Sequence, residues 1–197
     1  LFLTIGFVIY YEIDLLIIGK LIGLKEVGYY AIGFAVLNFL RNIINIFYSP
    51  FSHRFNHFVG QNQEEKLSLM LNKLLDYTFP LFIISHLALV FSLDKLVLLW
   101  VGEEFIPSIL ICQTLVLCSI FSYISQPAYH YFMATINYKF LYILAVILPL
   151  SFVLSMFYLL PLYGIYGVAY SKLISSLLLF VISMVGLSSI ISIKSFF

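Results

Sequence analysis

The sequence is poor in charge. Ten basic and nine acidic residues are spread over 197 positions, a net of +1, and charged side chains make up 10% of the chain, where a soluble domain carries about a quarter. With no basic cluster or stripe, the electrostatic footprint of a nucleic-acid binder is missing, which excludes DNA and RNA as partners. Cysteine is scarce too. Cys112 and Cys118 stand six apart inside one apolar run, neither a metal-ligand spacing nor a disulfide framework, and both are expected to be buried thiols. There is no H-E-x-x-H, no G-x-S-x-G and no phosphate-binding glycine loop with lysine. Catalysis therefore has no support, and no enzyme activity, metal or cofactor is expected. Polar stretches long enough for an added soluble domain are also lacking.

What fills the chain is hydrophobic side chain, 63% of all residues. Six apolar runs cover positions 1–21, 27–50, 74–93, 107–131, 140–162 and 165–193, each near the 20 or so residues a helix needs to cross about 30 Å of hydrocarbon. Lipid offers the backbone no hydrogen bonds, and the runs lack strict alternation, so helices are the expected spanning elements. The fold class that follows is an all-α integral membrane protein, a single six-helix transmembrane bundle over residues 1–197. The opening "LFLTIGFVIYYEIDLL" has two acids in its apolar run and no basic leader. It does not read as a cleaved signal peptide, and the sequence is expected to be part of something longer.

Between the runs, "KLIGLKE", "TINYK" and "PLYG" are short turn-like connections, while "FSHRFNHFVGQNQEEKLSLMLNK" is a longer polar link with room for a short surface helix. The stretch "LDKLVLLWVGEEFIP" is too short to cross and, with Trp100 suited to the aromatic belt, is expected to lie in the membrane interface. Placing both ends on one side collects Arg54, Lys66, Lys73, Lys139 and Lys194 there, against Lys20, Lys25 and Lys95 opposite. The excess of inner cations predicts a multi-pass protein of the inner (plasma) membrane with both ends cytoplasmic. Pro80, Pro127 and Pro149 fall within spans, where proline kinks a helix and frees carbonyls; such kinks serve transporters that rock between states but also occur without any transport role.

The second span carries its polar residues on one side. At 100° per residue Asn38, Arg41, Asn42, Asn45, Tyr48 and Ser49 share an arc of about 120°. An arginine at mid-membrane costs about 3 kcal/mol on insertion scales, so water, an acid or an anionic ligand has to offset Arg41. Two further stripes are Thr114, Cys118, Ser122, Ser125 and Tyr129 on the fourth span, and Lys172, Ser175, Ser176, Ser183 and Gly186 on the sixth. Together the three stripes form the walls of one expected cavity, although small hydroxylated residues also let helices pack closely, the reading favoured for the fourth-span serines. Asp14 and Lys172 each lie about 12 Å in from the outer end of their spans and are placed to pair; Arg41 is deeper, about 21 Å in, with no obvious acid at its level. Glu12 is nearest in depth but points about 160° away from Asp14, so both acids are not expected to face one cavity. Asp14 is the expected gating or structural partner of Lys172. Arg41, with Asn38 and Asn45 beside it, is the expected anion-binding group, because a guanidinium's planar fork of donors matches phosphate oxygens.

His53 and His57 are four apart without an evident third ligand and read as a solvated face. His86 and His130 are expected to hydrogen-bond to neighbours rather than relay protons.

The stretches "DLLIIGKLIGLKEVGYYAIGFAVL" (14–37), "LLWVGEEFIPSILI" (98–111) and "YGIYGVAYSKLIS" (163–175) resemble the second half of the polysaccharide flippases. These are the O-antigen and teichoic-acid type transporters of the multidrug/oligosaccharidyl-lipid/polysaccharide exporter superfamily. The likeness rests on an acid followed by Ile18-Gly19, Gly23 and Val27-Gly28-x-Tyr30, and on Gly164-x-x-Gly167 followed by Ala169. The small-Gly-Lys turn usual near the fifth span reads "ATINYK" here. The resemblance implies the second lobe of a two-lobe transporter of twelve or more helices, with an N-terminal six-helix lobe as its missing partner. It further implies that a polyprenyl-pyrophosphate-linked oligosaccharide is moved from the cytoplasmic to the outer leaflet by alternating access, for lipopolysaccharide or other surface-polysaccharide synthesis, beside membrane lipid and polysaccharide assembly enzymes. Arg41, in the corresponding second helix of the lobe, would meet the pyrophosphate; Lys172, facing its own polar stripe, is a second candidate for binding an anionic substrate. The alternatives are a cation-coupled multidrug or toxin antiporter of the same superfamily, which cavity acids would favour, and a membrane scaffold subunit that transports nothing.

Overall fold

The computed structural model describes residues 2–188; residues 189–193 of the sixth run and Lys194 lie outside them. The elements are α1 (Phe2–Leu21), α2 (Leu24–Gly60), α3 (Glu64–Val101), a single 3-10 turn (Glu103–Phe105), α4 (Pro107–Ile124), α5 (Gln126–Ala134), α6 (Tyr138–Tyr163) and α7 (Ile165–Ser188). Among the described residues there is no strand. Five helical segments, α2, α3, α4 continued by α5, α6 and α7, are long and apolar enough to cross a membrane, and α1 adds an apolar helix of 20 residues. The chain is an all-helical, multi-pass membrane protein.

Two expectations about the connections are corrected. The polar link between the second and third spans is helix nearly throughout, and only the turn at residues 61–63 breaks it, with Asn62 in the left-handed region at φ 55°. The apolar spacing explains this. Phe55 on α2 and Leu67, Leu71 and Leu74 on α3 are buried in one cluster with Phe132 of α5 and Leu141 of α6, so both helices carry a packed face through the polar stretch. The 37 and 38 residues of α2 and α3 make rods of about 55 Å, well beyond the hydrocarbon thickness. Likewise the segment expected to be separate from the third span begins as the last two and a half turns of α3, residues 93–101: Leu93 and Val97 pack on Ile32, Cys112 and Val116 of α2 and α4. The helix stops at Gly102, whose φ of 88° suits a residue without a side chain.

α4 is central, packing on α2, α3 and α7, while α6 lies along α7 and α1 along α6. On α2 the buried residues Tyr30, Phe34, Leu37, Ile44, Tyr48 and Phe55 follow alternating steps of four and three, the spacing of a helix seam. Arg41 occupies the one step missing between Leu37 and Ile44. The polar arc of Asn42, Asn45 and Ser49 is exposed beside that seam.

The prolines act differently from one another. α3 and α6 run on through Pro80 and Pro149, whereas the fourth span breaks at Ser125, ahead of Pro127. Pro127 has no N–H for the carbonyl of Tyr123, four residues back; the Tyr48 hydroxyl of α2 donates to that carbonyl at 3.2 Å. Pro149 leaves the Ala145 carbonyl in the same state, and the Cα of Gly6 on α1 lies so close to it that a Cβ would collide.

Candidate functional site

A cavity of about 640 Å³ opens between α1, α2, α4, α5 and α7. From α1 it takes Tyr10, Tyr11 and Glu12; from α2, Arg41 and Asn45; from α4 and the break that follows it, Cys118, Ser122 and Ser125; from α5, Gln126, Tyr129 and His130; from α7, Lys172. Val8, Leu37, Met133, Leu179 and Leu144 of α6 line it as well, so polar groups are set into a wall that is otherwise apolar.

The stripes contribute unequally. Four of the five fourth-span residues border the cavity, all but Thr114. Their hydroxyls are turned back on their own helix: Ser122 donates to the Cys118 carbonyl at 3.3 Å and Ser125 to that of Phe121 at 2.7 Å. The sixth-span stripe supplies only Lys172. Ser175, Ser176 and Ser183 are buried between helices, with Ser175 bonded to the Ser171 and Lys172 carbonyls. The expected roles are therefore reversed: the serines read as packing residues lie on the cavity, and those of α7 pack.

Asp14 and Lys172 meet at 2.8 Å, with side-chain exposures of 0% and 3%. Every charge there is answered. One carboxylate oxygen accepts from Lys172 and the other from the Tyr30 hydroxyl at 2.7 Å. The ammonium also donates to the Tyr10 carbonyl and lies 4.5 Å from the ring centres of both Tyr10 and Phe152. Four helices, α1, α2, α6 and α7, are tied at this point. Lys172 borders the cavity, but its ammonium is committed to Asp14. Gly167 supports the arrangement, since a Cβ there would strike the Leu159 carbonyl and come within 2.9 Å of the Leu160 nitrogen, where α7 turns back against α6.

Arg41 is held more loosely. Its Nη1 donates to Asn38 Oδ1 at 2.8 Å, and its guanidinium lies 4.3 Å from the centre of the Tyr11 ring and 5.6 Å from that of Phe34. Glu12, rather than no acid, stands at its level, 4.0 Å from Nη1. Side-chain exposure is 18% for Arg41 and 57% for Glu12. Asn38 accounts for one of the five N–H donors of the guanidinium. Asn45 borders the cavity one turn further along α2, whereas Asn38 does not. The two acids of α1 diverge, Glu12 to the cavity and Asp14 into the helix contact.

The histidines separate as well. His86 is buried, its Nδ1 2.8 Å from the Phe82 carbonyl; His130 borders the cavity and stacks near Tyr48 and Tyr129. His53 and His57 are exposed, and no group of three metal-ligating side chains occurs among the described residues. Tyr11 and Gln126 of the cavity wall escaped the sequence reading, which took His130 only for a residue bonded to its neighbours; helical spacing from Ser122 marks Gln126, but nothing local marks Tyr11. Compared with protein-family models, with curated proteins and with solved structures, the chain matches none.

Proposed function

We propose that the chain is one six-helix lobe of a two-lobe membrane transporter, and that it flips a polyprenyl-pyrophosphate-linked oligosaccharide by alternating access for surface-polysaccharide synthesis. The observation that supports this reading is Arg41 on the wall of the 640 Å³ cavity. Its guanidinium is braced by a neutral amide and an aromatic ring, and its acid stands 4.0 Å away and more than half exposed. A guanidinium with spare donors in a hollow that also carries amide and hydroxyl groups attracts phosphate oxygens in the pairwise geometry they favour. An amphiphile whose headgroup crosses in such a hollow while its tail stays in lipid avoids most of the desolvation that blocks unaided flipping. Lys172, neutralised by Asp14, acts in this reading as the tie that holds the cavity's outer wall together and does not touch the substrate.

The test replaces Arg41 with alanine and with lysine in the complete transporter and follows surface glycan at matched expression. Loss in the alanine variant with partial recovery in the lysine variant is expected, and unaltered export in the alanine variant overturns the assignment. A second reading, cation-coupled antiport, is favoured by Glu12, an exposed carboxylate on the same wall. It predicts that Glu12→Gln abolishes transport while Arg41→Ala spares it, the opposite of the flippase outcome.

A further inference from the structure

A second hollow lies away from the cavity, in the cleft between the C-terminal half of α2 and the N-terminal half of α3. Its volume is about 440 Å³. Arg54 from α2 and Lys66 and Lys73 from α3 line it, together with Phe47, Phe51, Phe58, Met70, Tyr77 and Leu81, and no acid is among its lining residues. Among the described residues no carboxylate comes within 4.0 Å of any of the three cations, although Glu65 and Asp76 belong to the same helix.

The cleft is graded along its length. α2 and α3 form a hairpin closed at residues 61–63, so Arg54, Phe58 and Lys66 lie toward its closed end while Phe47 and Leu81 lie toward the middle of the bundle. From Lys73 to Leu81 is about 12 Å of helix, and over that distance the lining passes from cationic to apolar. Tyr77 and Leu81 are 75% and 53% exposed, so the apolar part faces outward, away from the cavity. Charge at the helix ends and open apolar surface toward the midplane match a phospholipid, headgroup at the boundary and acyl chains inside.

We propose that this cleft binds an anionic phospholipid, with its phosphodiester among Arg54, Lys66 and Lys73 and an acyl chain along Phe47, Tyr77 and Leu81. The assignment needs only that the chain spans a bilayer and is independent of what the cavity carries. Three unpaired cations separate the occupant from a zwitterionic lipid, whose own ammonium they repel, and the apolar half separates it from free phosphate.

The test uses the protein in phosphatidylcholine vesicles, with Trp100, the chain's single tryptophan, changed to phenylalanine and Leu81→Trp introduced as a reporter. Brominated acyl chains quench tryptophan on contact. Brominated phosphatidylglycerol added as a minor component is expected to quench the reporter far more than the same fraction of brominated phosphatidylcholine. Inorganic phosphate is expected to leave the quenching in place. Adding R54Q, K66Q and K73Q together is expected to erase a preference of about tenfold or more, while K20Q, K25Q and K95Q at the other end leave it intact. Equal quenching by the two lipids, quenching by neither, relief by inorganic phosphate, or an unchanged preference in the R54Q/K66Q/K73Q variant each overturns the proposal. The two-lipid comparison in the parent protein stands even if that variant does not fold.

Discussion

Two cation–carboxylate pairs lie on neighbouring faces of the same helix bundle, and they are built on opposite plans. Lys172 and Asp14 are sealed, 2.8 Å apart and almost without exposure, with a tyrosine hydroxyl and a backbone carbonyl completing their shells. Arg41 and Glu12 are 4.0 Å apart, and Glu12 is more than half exposed. The difference sets what each pair contributes to stability. A sealed pair barely repays its own desolvation but is severely damaging to break, since either partner alone is a bare buried charge. A loose pair adds little stability, which leaves its charges available to something else.

The comparison is broken most directly by removing one sealed partner. Asp14→Asn or Lys172→Met is expected to lower stability by about 3–5 kcal/mol, read as a fall in the thermal midpoint in detergent and in folded yield. The two changes together are expected to do less harm than their sum. Tyr30→Phe leaves one oxygen of the buried carboxylate without a donor and is expected to lose about 1.5–3 kcal/mol, the range for hydrogen bonds to charged groups, by the same measurement. Gly167→Ala pushes α7 off the α6 backbone and is expected to lose about 1–3 kcal/mol, with the loss largely masked when Lys172 is already changed. The loose pair marks the small end: Arg41→Ala and Glu12→Gln are each expected to change stability by about 0–1 kcal/mol, and a double-mutant cycle is expected to give a coupling in the same range. If the Arg41 change destabilises as much as the Lys172 change, the distinction between the pairs falls.

The spans were legible because a 20-residue apolar run in lipid has one solution, and the helices α1, α6 and α7 follow their runs closely. Equal depth in their spans marks Asp14 and Lys172 as able to pair, and the structure joins them at 2.8 Å. The long hairpin was not legible. Hydropathy averages over all faces of a helix, so the apolar ridge of Phe55, Leu67 and Leu71 was hidden among His53, Arg54, Gln61 and Glu64, which occupy the other faces. Arg41 was only half legible for the same reason, since Asn38, expected beside it, does accept from its guanidinium. Its polar arc with Asn42, Asn45 and Ser49 was visible, but its place on the buried seam between Leu37 and Ile44 was not. That seam, more than the arc, turns it inward beside Tyr11 and Glu12, whose approach depends on how α1 crosses α2 and leaves no local mark.

The bond from Tyr48 to the Tyr123 carbonyl has a mechanical side. It holds the last turn of α4, just ahead of the joint with α5, and its donor stands two turns from Arg41 on the same continuous helix, two residues before Pro50. The same Tyr48 ring lies 5.9 Å from that of His130 on α5, so a tilt of α5 that keeps both contacts pulls α2 along, and with it the guanidinium. The floor of the hollow and its positive charge are therefore geared together and move as one part.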